Sequence, residues 1–201
     1  RLKTKVEAVR PGVVTLDSGE ELKGKVVVVA TEGPEAARLL QAVPAPGSKG
    51  ATCLYFDASE APMEGPILAL DGTGRGPVNN LAVMSQVSPA YAPPGRHLVA
   101  ATCIGSPPGP EGMLESGVRA QLKKWFGGGV EEWRLLRIYS IPHAQPSQPP
   151  GVLEPAERPV TLEPGLFVCG DHRETASLQG ALHSGRRAAE AILAQGNAGG
   201  D

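Results

Sequence analysis

The stretch LFVCGDHRETASLQGALHSGRRAAEAIL, Leu166–Leu193, decides the fold. It opens on a short apolar run, Leu166–Cys169, breaks at Gly170-Asp171 and resumes as a helix predicted from Ser177 to Gln195. Leu178, Ala181, Leu182, Ala188, Ala189, Ile192 and Leu193 recur at helical spacing and are expected to form the helix's packing face. A strand that passes through a polar turn into a helix is half of a βαβ unit. A second half lies upstream in VVVVATEGPEAARLL, Val26–Leu40. There an unbroken apolar run, Val26–Ala30, reads as a strand buried on both faces. Thr31-Glu32-Gly33 then leads to Pro34, a favoured first helical residue, and a helix over Glu35–Leu40. The two buried strands are expected to share one sheet.

Working outward, Lys5–Val9 and Val13–Leu16 alternate as strands, and Asp17–Glu20 is a turn in which Gly19 can take a positive φ. Composition shifts at PAPGSKG, Pro44–Gly50. Beyond it, Ala51–Asp57, Ile67–Leu70, Asn79–Val87, His97–Ile104 and Trp133–Ile141 read as strands. One helix is predicted over Glu111–Phe126, with Met113, Leu114, Val118, Leu122, Trp125 and Phe126 on its packing face and Gly127-Gly128-Gly129 ending it. Gln145–Pro159 is proline-rich and expected to be extended. The fold class is therefore α/β, or mixed α+β. A Rossmann-like domain is expected from both chain ends, 1–43 and 151–201, with a sheet-rich domain at 44–150 inserted into it.

Bulk composition narrows the function classes. The 201 residues are 41% hydrophobic and 20% charged, enough to build a core. A net charge of −2 and 4% aromatics exclude a basic or stacking surface for nucleic acid. No apolar run reaches the roughly 18–20 residues of a membrane-spanning helix, and no signal peptide is expected. Three scattered cysteines, Cys53, Cys103 and Cys169, read as buried strand residues of a reducing, cytoplasmic compartment. Neither they nor the four histidines have metal-ligand spacing, so no metal is expected. The terminal QGNAGGD reads as a frayed tail.

The Gly170-Asp171 junction is the candidate site. Ligands of open α/β sheets bind beyond the carboxyl ends of strands. Gly170 permits close backbone approach, and the helix behind it offers N–H groups and a positive dipole end. Gly180, Ala181 and Ser184 keep the helix's first turns thin. Asp171 has the wrong sign for a phosphate but can accept hydrogen bonds from hydroxyls. The same spacing also fits a capped helix packed on a sheet, with Asp171 as a turn residue. Elsewhere, His172 reads as a base or a loop residue, and His143 as a cavity or surface residue. Ser106, Ser177 and Ser184 lack a nucleophile-elbow context. Arg186-Arg187 reads as a solvated helix face, and Trp125 and Trp133 as core or interface anchors.

GLFVCGDHRETASLQGALHSGRRAAEAIL, Gly165–Leu193, resembles the C-terminal flavin motif of the FAD-dependent amine oxidase and phytoene desaturase superfamily. VVVVATEGPEAARLL resembles the same superfamily's strand before a helix. NNLAVMSQVSPAYAPPG and RIYSIPHAQP resemble its phytoene-dehydrogenase-related branch. The resemblance implies FAD as cofactor and an unknown small-molecule substrate. It places Gly170 and Asp171 at the ribityl–pyrophosphate part. Ser177, Gln179, Gly180 and Ala181 fall at the pyrimidine edge of the isoalloxazine, Ala30 and Thr31 on the adenosine side, and Val6 at adenine through its backbone. It assigns no catalytic residue. Where amine oxidases carry a lysine near the flavin, this chain has Thr52, with Lys49 three residues earlier.

The superfamily's Gly-x-Gly-x-x-Gly unit is absent; Asp71–Gly76 is Gly-rich at the wrong spacing and reads as a loop. The chain is expected to be the C-terminal portion of a longer oxidoreductase that does not hold FAD tightly alone. A missing N-terminal half or a second copy would cover its exposed sheet. The alternatives are a non-catalytic self-associating or partner-binding fragment, and one half of a split flavoenzyme.

Overall fold

The computed structural model describes residues 1–105 and 111–198. Ser106 and the end of the expected tail, Gly199–Asp201, lie outside them. The chain divides into two compact units, Arg1–Ser48 with Gln145–Asp201, and Lys49–Ala144.

In the first unit, strands β1 (Val6–Arg10), β2 (Val13–Leu16) and β3 (Glu21–Lys23) form an antiparallel sheet in that order. Gly19 has φ of 84° in the β2–β3 turn, as expected of it. The expected strand at Val26–Ala30 is β4 (Val27–Val29), and α1 (Gly33–Leu39) follows with a proline in its first turn. Val28 is 41% exposed, so β4 is not buried on both faces. A hydrophobic run marks where a strand can be buried; whether both faces are covered depends on what packs there.

The second unit contains β5 (Ser48–Ala58), β6 (Leu68–Leu70), β7 (Val78–Val83) and β8 (His97–Ile104), with α2 (Met84–Val87) between the last two. These are followed by α3 (Glu111–Phe126) and β9 (Arg134–Pro146). The sheet order is β6-β7-β8-β5-β9. The strand expected over Asn79–Val87 ends at Val83. Met84–Val87 closes into a helical turn, with the Ser88 N–H donating to Met84 O at 3.0 Å. Beneath α3, Leu54, Phe56, Leu81, Val99, Cys103, Val118 and Leu122 are buried together. Each fully buried Val or Leu side chain contributes about 1.5–3 kcal/mol. Trp133 joins this core, its ring tilted against those of Phe56 and Phe126. Met113, expected on the packing face of α3, is 70% exposed instead.

The chain then returns to the first unit. The segment after β9 is a series of turns rather than extended chain. Arg158 ties it down, donating from Nη1 to His172 O at 2.6 Å and from Nη2 to Val152 O at 2.7 Å. β10 (Thr161–Glu163) and β11 (Leu166–Val168) follow, and the sheet order is β10-β11-β4. β11 and β4 pair in parallel, Leu166 opposite Val27 and Val168 opposite Val29. The two buried strands thus share one sheet, and among the described residues the outer edge of β4 pairs with nothing. Val27, Val29, Ala36, Leu40, Leu166 and Val168 make the core here.

Helix α4 (Leu178–Ala198) closes the chain. Its buried stripe shares only Ala188 with the expected one. Leu178, Leu182 and Leu193 are exposed, while Gly180, Ser184 and Ala188 are buried at four-residue spacing. Small residues let a helix approach a neighbour closely, and that approach selects the face over hydrophobicity. Among the described residues no helix is long and apolar enough to cross a membrane.

Candidate functional site

Parallel pairing brings the carboxyl ends of β4 and β11 side by side. The Cys169 N–H donates to Val29 O at 3.0 Å, continuing the ladder to the point where both strands leave the sheet. Ala30 and Thr31 follow one strand, Gly170 and Asp171 the other. Gly170 has φ of 147°, and a Cβ there would lie 2.6 Å from the His172 ring and 3.4 Å from Thr31 O. Gly33 is as confined, its Cβ position 2.3 Å from Pro46 Cγ and 3.2 Å from His172 Cβ. Glycine at both positions therefore leaves room for the Pro46 and His172 side chains, which a Cβ would strike.

Helix α4 is clamped to the same point. The Gly170 N–H donates to Ser184 Oγ at 2.9 Å. The Ser184 hydroxyl lies 2.9 Å from Gly170 O and 3.0 Å from Ala181 O, and its proton serves one of these two carbonyls. Ser184 is fully buried. The sequence marks it only as a thin residue; its position four residues after Gly180, on the same helical face, is the signal that points to it.

At the start of α4, Ser177 caps the helix. Its Oγ accepts from the Gly180 N–H at 3.0 Å, and its carbonyl accepts from the Ala181 N–H at 3.0 Å. Ser177 thus uses two of the N–H groups at the head of the helix. The N–H groups of Leu178 and Gln179 form no hydrogen bond among the described residues. They are the donors left at the dipole's positive end.

A cavity of about 330 Å³ opens at this junction, lined by Pro46, Ser147, Arg158, Asp171, His172 and Glu174 among others. His172 is 3% exposed, and among the described residues neither ring nitrogen has a hydrogen-bond partner. Burial holds its imidazole below the usual histidine range; Arg173 pushes the same way, Asp171 opposes, and Arg158 adds to the lowering. The folded protein thus resists protonating His172, whereas the unfolded chain binds the proton near the ordinary histidine pKa of about 6.5. Stability is expected to be fully present above that value and to fall as pH drops toward the depressed one. Thermal unfolding of wild type and His172→Leu between about pH 5 and about pH 8 checks this, the variant showing the shallower decline.

Beside the cavity, Glu174 is buried and pairs with Arg187 and with His183 Nδ1 at 3.3 Å. Ligand atoms of Glu157, Glu174 and His183 lie within 4.8 Å of one another. Arg187 also pairs with Glu157 at 3.7 Å, so its guanidinium supplies the positive charge among these groups. Arg187 is therefore a partly buried partner and not the expected solvated face, while Arg186 is exposed and pairs with Glu190.

Of the predicted site residues, the fold gathers Ala30, Thr31, Gly170 and Asp171 at the strand ends and fastens Ser177, Gln179, Gly180 and Ala181 to them through α4. Val6 stands on the separate β1-β2-β3 sheet, where its carbonyl accepts from Arg38 Nη2 at 2.5 Å. Thr52 faces the α3 side of its sheet with Leu54 and Phe56. It is 2% exposed, and its hydroxyl donates to Gly105 O at 3.1 Å. Strand alternation leaves Cys53 and Tyr55 on the opposite face. Cys53 is only partly buried, and Cys103, fully buried, has its thiol pushed up to about 11 by burial. His143 is exposed on β9.

A glycine turn at the ends of parallel strands, backed by a helix N-terminus, defines a Rossmann-like mixed α/β protein. The same fold is found in solved structures. An oxidoreductase from Methanosarcina mazei matches with a TM-score of 0.67 at 17% identity, over 93% of this chain and 49% of its own. A reduced UDP-galactopyranose mutase matches with 0.72 at 12% identity, over 96% and 46%. A Pyrococcus furiosus protein matches with 0.62 at 14% identity, over 93% and 46%. The chain spans less than half the length of each. No curated protein matches it in sequence. The chain belongs to the flavin containing amine oxidoreductase family, whose model matches residues 1–193.

Proposed function

We propose that this chain supplies part of the FAD site and part of the substrate domain of an oxidoreductase that dehydrogenates a small or apolar substrate. The observation that carries the reading is the Gly170-Asp171 turn, clamped to α4 by Ser184 beside the carboxyl end of β4. The residues suit the cofactor. Gly170 and Gly33 leave backbone without side chains, Asp171 is a partly exposed acceptor for ribityl hydroxyls, and the orphaned His172 nitrogens border the same cavity.

FAD, when bound, supplies the acceptor for the electron pair and proton removed from substrate. The chain's own part is to bind and orient. The Leu178 and Gln179 N–H groups and the α4 dipole favour negative charge at the pyrimidine edge. Ala30, Thr31 and the Val6 backbone serve the adenosine end. Residues 1–43 and 151–201 form the FAD-binding part and 44–150 the substrate domain. We place the protein in the cytoplasm.

The open β4 edge and the exposed Val28 favour a further segment, a second copy or a separate N-terminal chain completing the sheet. The 201-residue chain by itself is then expected to retain little FAD. A self-associating or partner-binding role without cofactor is the alternative.

Asp171→Ala tests the site. Losing hydrogen bonds to a charged acceptor costs about 1.5–3 kcal/mol, so FAD affinity of the complete protein should fall about tenfold or more. Flavin fluorescence titration reads the change. Unchanged affinity would remove Asp171 from the site, and a complete protein without flavin absorbance would favour the non-catalytic alternative.

A further inference from the structure

The second unit holds a cavity of about 460 Å³ away from its α3-covered core, lined by Asp57, Tyr91, Arg96, Leu98, Arg134 and Leu136 among others. Its lining includes an unequal ion cluster. Arg96 Nε donates to Asp57 Oδ1 at 2.7 Å, and Arg134 Nη2 donates to Asp57 Oδ2 at 3.0 Å. Both guanidiniums therefore converge on one carboxylate, which they hold below the usual aspartate range, Arg96 most strongly. Among the described residues these are the hydrogen bonds that the two guanidiniums make, so most of their N–H donors remain.

The topology produces this geometry. Asp57 stands opposite Leu98 on β8, and the turn before β8 delivers Arg96. β9, on the other side of β5, begins with Arg134. The strands thus place one cation on each flank of Asp57 and one leucine beyond each cation. A buried aspartate needs one partner for its charge; the second arginine leaves a unit of positive charge at the mouth of an apolar-walled cavity.

We propose that this cavity binds a small amphipathic monocarboxylate, its carboxylate on Arg96 and Arg134 and its apolar body against Leu98, Leu136 and the Tyr91 ring. The guanidinium fork suits a planar carboxylate. A phosphate dianion exceeds the available charge and meets the repulsion of Asp57. The volume lies within the range of small-molecule pockets, about 300–1,000 Å³. The site lies wholly in the second unit and needs no flavin, so it stands or falls apart from the FAD reading.

Isothermal titration of the purified protein with octanoate tests it, with octylamine and inorganic phosphate as comparison probes. Octanoate is expected to saturate a single site, octylamine not to bind, and phosphate to bind far more weakly. Arg134→Gln should weaken octanoate about tenfold or more. The Arg134 side chain is 72% exposed, so that variant should keep the wild-type melting temperature. Arg96→Gln should weaken octanoate at least as much, and Arg134→Gln decides alone if Arg96→Gln fails to fold. Non-saturating octanoate, equal affinity in Arg134→Gln, or phosphate binding as tightly as octanoate would each overturn the proposal.

Discussion

A Gly180→Ser protein should lose stability and flavin together. A Cβ at Gly180 would stand 2.0 Å from Thr175 O and 2.9 Å from Thr175 Oγ1. The nearer atom is backbone, so the 175–177 turn or the helix must move. Overpacking of this kind costs about 1–3 kcal/mol, and more where backbone shifts. The displaced segment contains Ser177, the cap that fixes the N–H groups of the first turn, and α4 is the helix that Ser184 pins to Gly170. Any ligand held at the strand ends by those N–H groups loses its geometry. The flavin-to-protein ratio should therefore fall about tenfold or more, a loss of about 1.4 kcal/mol or more in binding. A lower denaturant midpoint should accompany it. Gly185→Ala is the control: its Cβ meets nothing within 4 Å. That substitution should preserve flavin content and gain up to about 1 kcal/mol from helix propensity. Full flavin content and stability in Gly180→Ser would show that the Thr175 contact constrains nothing.

Arg187→Met is expected to be more costly still. Glu174 is 7% exposed, and the Arg187 guanidinium bonds it directly, with a second nitrogen donating to Arg158 O at 3.0 Å. Removing the arginine leaves a buried carboxylate whose remaining close partner is the half-exposed His183 ring at 3.3 Å. Breaking a buried pair from one side typically costs about 3–5 kcal/mol, because the desolvated charge remains. Replacing both partners, Arg187→Met with Glu174→Leu, should recover much of that loss. Chemical denaturation of the two single variants and the double variant gives the coupling. Equal stability of Arg187→Met and wild type would show that the pair is solvated in the folded protein.

Much of the first unit was legible locally. The runs Val26–Ala30 and Leu166–Cys169 announced strands because little else in a soluble chain tolerates such uninterrupted apolar residues. The glycine and polar turn after each announced where they end, and the family motif drew attention to Gly170-Asp171. Short strands were missed: Glu21–Lys23 and Thr161–Glu163 are three residues each and carry no alternation long enough to read. Asn79–Val87 was read as one strand because periodicity cannot see where a neighbouring strand stops pairing.

The sequence by itself determined the alternation of strands and helices, the break at Gly170-Asp171 and the small-residue head of α4, since these are properties of backbone and composition. Only the tertiary structure decided which face of α4 is buried, that Ser184 clamps Gly170, that Thr52 turns toward α3, and that Asp57 is flanked by arginines 39 and 77 positions away. Those outcomes depend on close approach and strand order, which join residues distant in the chain. Hydrophobic periodicity carries no information about such partners.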